Sequence, residues 1–271
     1  MSTCNHDCKN CASQCNQSTI ATNAHSNIKN VIAVVSGKGG VGKSLVTSML
    51  AVYSRRAGYQ TAVLDADITG PSIPHNFGLD QKAYGNEQGI IPVVSTTGIK
   101  TMSLNYLTEK VTDPVVWRGS MISNCAKQFY TDVLWEEVDY MFVDMPPGTG
   151  DVPLTVYKEL PIKAVVVVTT PQDLVGMIVQ KAINMAKKMN LPVIALVENM
   201  SYFVCDECAK KHFIYGKGNA IQIAKDNGIA GVYQLPLALQ TATLIDQGKV
   251  EQTQQLDIQA LFAQIVDFCN K

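Results

Sequence analysis

A short apolar run, VIAVVS (31–36), leads straight into GKGGVGKS (37–44) and then into KSLVTSMLAVYSRRAG (43–58). The run is β-branched and unalternated, as a parallel strand covered on both faces is. The third segment has helical spacing and stops at Gly58, a residue suited to closing a helix. Strand, glycine-rich turn and helix together match G-x-x-x-x-G-K-[ST], the phosphate-cradling loop. Few folds accommodate that order.

The rest of the chain repeats the alternation. TAVLDAD (61–67), YMFVDMPPG (140–148), AVVVVTTP (164–171) and VIALVENM (193–200) read as strands, and DLVGMIVQKAINMAKKM (173–189) as a helix between two of them. Strands alternating with helices predict an α/β fold, a mostly parallel sheet flanked by helices on both faces, with ligands at the carboxyl ends of the strands. Residues 29–271 read as one P-loop domain. Residues 1–28 read as a flexible tail carrying Cys4, Cys8, Cys11 and Cys15.

With 46% hydrophobic residues and a formal net charge of −1, the 271-residue chain has the composition of a globular protein. That charge points to neither nucleic acid nor an anionic membrane. The polar amino terminus lacks the apolar run of a secretory signal, and the expected location is the cytoplasm. There clustered thiols are metal or redox ligands rather than disulfides.

The loop supplies the chemistry. Gly37, Gly39, Gly40, Val41 and Gly42 let backbone N–H groups curl around phosphate oxygens at a helix N-terminus. Lys43 reaches the β- and γ-phosphates, and the Ser44 hydroxyl ligates Mg²⁺. Asp144 ends a strand where a carboxylate holds Mg²⁺ through water. Asp65 and Asp67 end another, and either can orient the attacking water. A guanine-reading N-K-x-D is absent, which favours ATP.

Cys205 and Cys208 form C-x-x-C, which alone reads as a redox pair, half a zinc site or part of a cluster site. Zinc and 4Fe–4S clusters commonly take four ligands, and a two-fold dimer would bring two such pairs together. The four tail cysteines, with His6 as a substitute, suffice for one site holding a cluster or zinc, the alternative being a tail without metal that only delivers thiols. Cys125 and Cys269 read as idle thiols, and His212 as a surface residue.

KGGVGKS resembles the deviant loop of the MinD, ParA and nitrogenase-iron-protein class. DADITGPSIP, VVWRGSM, DYMFVDMPPGTGD, VTTPQ, VENMSYFVCDEC and DQGK narrow the resemblance to the Mrp/ApbC iron–sulfur carrier ATPases. The resemblance implies that Lys38 crosses a homodimer interface to the other subunit's nucleotide, that Asp67 activates water, and that Asp65 serves the Mg²⁺ shell. It assigns Asp144 with Gly148 to the second switch, Asn199 to adenine, and Cys205 with Cys208 to a bridging 4Fe–4S cluster. The tail spacing and Ser120 depart from the family pattern, as does LPLALQ (235–240). Trp117 and Arg118 are expected in packing or between subunits, and Asp151 as a relay after the second switch.

The expected function is therefore ATP-dependent cluster carriage, with slow, dimer-dependent hydrolysis. The partners are a second copy, apo iron–sulfur proteins and cluster-assembly scaffolds. The alternatives are a MinD/ParA-type positioning ATPase, an electron-transfer ATPase and a zinc-binding regulatory ATPase. The acidic charges of the C-terminal helical stretch suit packing on the body better than a membrane.

Overall fold

A computed structural model of the chain describes residues 20–109, 119–172 and 174–271. Strand β1 (Asn27–Ser36) leads through the glycine loop into α1 (Lys43–Arg56), β2 (Thr61–Asp65) and α2 (Ile73–Phe77). A hairpin of β3 (Tyr84–Asn86) and β4 (Gly89–Ile91) precedes β5 (Val93–Val94) and β6 (Lys100–Met102). Then come α3 (Gly119–Thr131), β7 (Glu137–Asp144), α4 (Asp151–Glu159), β8 (Ala164–Thr169), α5 (Leu174–Lys188) and β9 (Val193–Val204). The chain ends with β10 (Lys211–His212), α6 (Ala220–Asn227), β11 (Gly231–Pro236), α7 (Leu239–Asp246) and α8 (Leu256–Cys269).

Nine of these strands form one sheet. β1 lies at its middle between β7 and β8, with β2 and β6 beyond β7, and β9 beyond β8. The pairs are parallel except β5 with β6 and β10 with β9. All six residues of β8, and Val31 through Ser36 of β1, are buried. Helices cover both faces there, which explains why these strands read as continuous apolar runs. α8 buries Ile258, Leu261, Phe262 and Ile265 and packs on α1, so its apolar face is already covered. Among the described residues no helix is long and apolar enough to cross a membrane.

Three details differ from the sequence reading. β1 starts at Asn27, and its first four residues alternate exposed and half-buried because they extend beyond the core. The chain meets the body still earlier: Asn23 Nδ2 donates to the Gln88 carbonyl at 2.7 Å, and the Ser26 hydroxyl accepts from Trp135 N at 2.8 Å. The folded body therefore reaches upstream of residue 29, whereas the four tail cysteines and His6 lie outside the described residues. So do Trp117 and Arg118. Finally, β9 runs four residues past the expected Met200, which takes a φ of 56° and redirects the strand. α1 ends as expected, with Gly58 at φ 91° just beyond its Ala57 cap.

Candidate functional site

The glycine loop joins the carboxyl end of β1 to α1. Gly42 holds φ 84°, a left-handed conformation, and a Cβ there would collide with the Asn199 amide. A Cβ on Gly37 would collide with the Ile178 side chain and approach its carbonyl oxygen to 2.8 Å. These two glycines answer to close neighbours as well as to a ligand. Gly40 also has positive φ, and the exposed Gly39 and Gly40 leave their backbone open to solvent. A groove of about 300 Å³ lies over the loop, lined by Gly39, Gly40, Lys43, Asp67, Asn76 and Pro147.

Beneath the groove one cation faces three carboxylates. Lys43 is buried, with Nζ 2.8 Å from Asp144 Oδ1 and 3.5 Å from Asp67 Oδ2. Asp144 also accepts from Ser44 Oγ at 2.6 Å and from Thr47 Oγ1 at 2.9 Å. Asp65 sits beside Asp144 across the β2–β7 pairing and accepts from Ser103 Oγ at 3.0 Å and from Asp67 N at 3.2 Å. Burial, followed by the charge of Asp144, drives the Asp65 carboxyl well above its usual pKa; Lys43 only partly opposes this. Burial likewise raises Asp67. For Lys43 burial works against the ammonium, but Asp144 and Asp67 outweigh it and hold its pKa above the ordinary lysine value. A crowd of buried carboxylates with a hydroxyl at its edge is a set of hard oxygen donors. It fits Mg²⁺, which Ser44 and the acids would hold against a triphosphate.

Gly148, at φ 90°, donates its N–H to the Ser36 carbonyl at 2.9 Å and so ties the segment after β7 to the start of the loop. Asn199 is buried, and its Nδ2 donates to the Val41 carbonyl at 2.9 Å, bracing the loop in this conformation. Lys38 is placed differently from Lys43. Its Nζ donates to Gln172 Oε1 at 2.7 Å, and among the described residues it forms no ion pair. Asp151 begins α4.

The two thiols lie in the turn between β9 and β10. Cys205 N donates to the Lys210 carbonyl at 3.0 Å and Ala209 N to the Cys205 carbonyl at 2.9 Å, with Ala209 at φ 55°. Backbone N–H groups of Cys208 and Glu207, then the Cys208 side chain, hydrogen-bond the Cys205 sulfur and hold its pKa below the usual thiol value. Lys211 lies over the Tyr202 ring at 3.9 Å and stiffens the hairpin. Among the described residues no third His, Cys, Asp or Glu side chain joins the two thiols. His212 pairs with Phe203 in the hairpin backbone. Cys125 is buried, and burial pushes its thiol up to about 12. Cys269 is raised for the same reason.

Both sites follow the carboxyl ends of strands in the parallel part of the sheet. β8 alone separates β1 from β9, and β9 runs seven residues past Val197, which lies level with Ser36 through Val168, before it reaches the thiol turn. Sequence reasoning missed Thr47, Ser103 and Asn76. Thr47 lies one helical turn beyond Lys43, a spacing that could have found it. Ser103 follows a three-residue strand too short to recognise. Asn76 Nδ2 donates to the Ser44 carbonyl at 3.2 Å and to Ser48 Oγ at 3.0 Å, contacts with no local signal.

Known proteins resemble this chain. The family profile described as NUBPL iron-transfer P-loop NTPase, of the ParA group, matches residues 27–269. An iron-sulfur cluster carrier protein of Clostridium perfringens is 46% identical over 236 residues, covering 84% of this chain and 83% of its own. Another protein of that name, from Methanocaldococcus jannaschii, is 44% identical over 225 residues, covering 82% and 78%. Among solved structures, a nucleotide-binding protein from Archaeoglobus fulgidus, in complex with ADP and with Co found by PIXE, is 40% identical. Its TM-score is 0.78, and the match covers 87% of this chain and 92% of that one. The cell division ATPase MinD of Pyrococcus furiosus, 16% identical, shares the fold at a TM-score of 0.67 over 88% and 99% of the two chains. The chain belongs to the NUBPL iron-transfer family of ParA-type P-loop NTPases.

Proposed function

We propose that this protein is an ATP-dependent carrier that takes a 4Fe–4S cluster as cargo between two copies of the chain and hands it to apo iron–sulfur proteins. The carrying observation is the half-complete ligand set. Cys205 and Cys208 follow the carboxyl end of β9, as the phosphate loop follows that of β1, and among the described residues no third ligand joins them. A second copy that meets this end of the sheet brings two more thiolates to one cluster. It also brings its own Lys38, a cation not engaged by the acids of its own loop, toward the first copy's nucleotide.

Hydrolysis then depends on the pair. Phosphoryl transfer needs positioning and positive charge more than covalent help from the protein. The loop amides and Lys43 would hold the phosphates, Asp67 would orient the water, and Lys38 of the second copy would add the last cation. Asn199 would read adenine once nucleotide enters. Mg²⁺ on Ser44 and the neighbouring acids supplies charge neutralisation. Slow turnover follows if closure of the pair limits the rate. The work belongs to the cytoplasm, with assembly scaffolds as sources of cargo. The tail cysteines would hold a further cluster or zinc.

A positioning ATPase of the MinD/ParA kind is disfavoured by α8, whose apolar face is buried on α1 rather than presented to a membrane. The deciding experiment is anaerobic purification with iron, sulfide and zinc counted per chain, alongside sedimentation. Four irons and four sulfides per two chains, lost in the Cys205→Ala/Cys208→Ala variant, are expected. Zinc with no iron or sulfide after reconstitution would turn the reading to a zinc-binding regulatory ATPase.

A further inference from the structure

Helix α7 stands between the two sites. Its first residues wall a groove of about 550 Å³ whose opposite wall is Phe203, Val204 and Asp206, the residues flanking Cys205. Its last two, Ile245 and Asp246, wall a second groove of about 540 Å³ against Pro71, Pro74 and Asn76, in the segment that follows Asp67. None of its eight residues is buried. A helix with a groove at each end has little close packing to hold it in one position, unlike the jammed interior of the sheet.

Its ends are nevertheless tied. Leu237 N, just upstream, donates to the Tyr202 carbonyl at 2.7 Å, three residues before Cys205. Just downstream, Gly248 meets Gly78, the cap of α2. A Cβ on Gly248 would lie 2.5 Å from Gly78 Cα, and one on Gly78 would lie 2.8 Å from the Gly248 carbonyl oxygen. Backbone touches backbone there, with no flexible side chain between to absorb a displacement.

The far side of α2 is tied to the nucleotide site. Ile73 N donates to Asp65 Oδ2 at 3.4 Å, and Asn76 Nδ2 reaches the Ser44 carbonyl. The contacts therefore run without a gap from the acids to α2, through the Gly78–Gly248 contact to α7, and on to Tyr202 and the thiol turn.

We infer that α7 is the element through which nucleotide regulates the thiol turn: a shift of α2 is passed by Gly248 to α7, which slides in its two grooves and repositions the backbone at Val204–Asp206. Small sliding of a packed helix is a common form of such transitions. Linkage makes the effect reciprocal, so whatever occupies the thiols must alter nucleotide affinity by the same factor. The inference rests on the reading of Cys205 and Cys208 as the cargo site.

The test uses the full chain without cluster and reads the alkylation rate of Cys205 and Cys208 by peptide mass mapping. It compares Mg-ADP with a non-hydrolysable Mg-ATP analogue. Wild type is expected to show a rate ratio of about fivefold or more between the two nucleotides, within the usual range of allosteric coupling. Leu244→Ala empties part of the thiol-side groove, and Gly248→Ala forces the glycine contact apart. Each should bring the ratio close to one while nucleotide affinity persists, whereas Leu244→Met should retain it. Having two disabling variants keeps the test decisive if either fails to fold.

A wild-type ratio near one overturns the inference. So does an undiminished ratio in a folded disabling variant, the result expected if a second copy simply shields the thiols. Because the readout needs no iron, failure of the coupling is distinct from failure of cluster carriage, which the iron and sulfide counts decide.

Discussion

The Ser44 hydroxyl donates to Asp144 Oδ2 at 2.6 Å, bridging the first turn of α1 to the end of β7 across one hundred residues of sequence. The other oxygen of that carboxylate receives Thr47 and Lys43, so three residues of α1 hold the end of β7.

Lys43→Ala should therefore harm the protein even without ligand. It leaves Asp65, Asp67 and Asp144 buried with no ammonium among them, and breaking a buried pair costs about 3 kcal/mol. Urea unfolding of the nucleotide-free variant should show a loss of that order, and equilibrium dialysis should show ATP binding abolished.

Lys38→Ala should behave in the opposite way. Lys38 contacts a surface glutamine, so stability should stay within about 0.5 kcal/mol of wild type. Nucleotide binding should persist, while turnover falls by about a hundredfold or more, the scale of losing one charge-stabilising group. Mixing it with a Lys43→Ala chain should restore some turnover, because the latter's Lys38 then serves the former's loop. Steady-state phosphate release checks both.

The thiols should differ in reactivity. Backbone N–H groups of Cys208 and Glu207 stabilise the Cys205 thiolate, whereas burial holds Cys125 up at about 12. Iodoacetamide at neutral pH should modify Cys205 first among the four described cysteines and Cys125 last, since the thiolate is the nucleophile. Time-resolved mass mapping of the metal-free protein reads the order directly.

Acid should expose the role of Glu251. Partial burial opposes its ionisation, but the hydroxyls of Ser95, Thr96 and Thr97 and the Thr97 N–H outweigh burial and hold its pKa below 4.5. A carboxyl lowered on folding stabilises above its unfolded pKa and loses that contribution as pH falls through the folded value. Glu251→Gln should lower stability at pH 7 by about 2 kcal/mol. It should also flatten the fall seen in wild type below pH 4.5, as followed by denaturation at stepped pH.

What could be read along the chain was whatever is local or periodic. The phosphate loop, α1 with its Gly58 stop, the buried central strands and the carboxylates at their ends are each announced within a few neighbouring residues, because burial on both faces and anion binding at a helix terminus impose short patterns. The C-x-x-C was legible for the same reason. Short elements such as β6 and α7 were not, since three to eight residues carry too little periodicity to distinguish them from loops.

The sequence by itself thus determined the class of fold and the chemistry of the loop. Tertiary structure alone decided that Lys43 is locked among three acids while Lys38 is not, that Ser103 and Asn76 join the site, and that α7 packs on α2 and shares a groove with the thiol turn. Those contacts join residues tens to more than a hundred positions apart. Their energies depend on distance and burial in the folded chain, quantities that no local pattern of residues records.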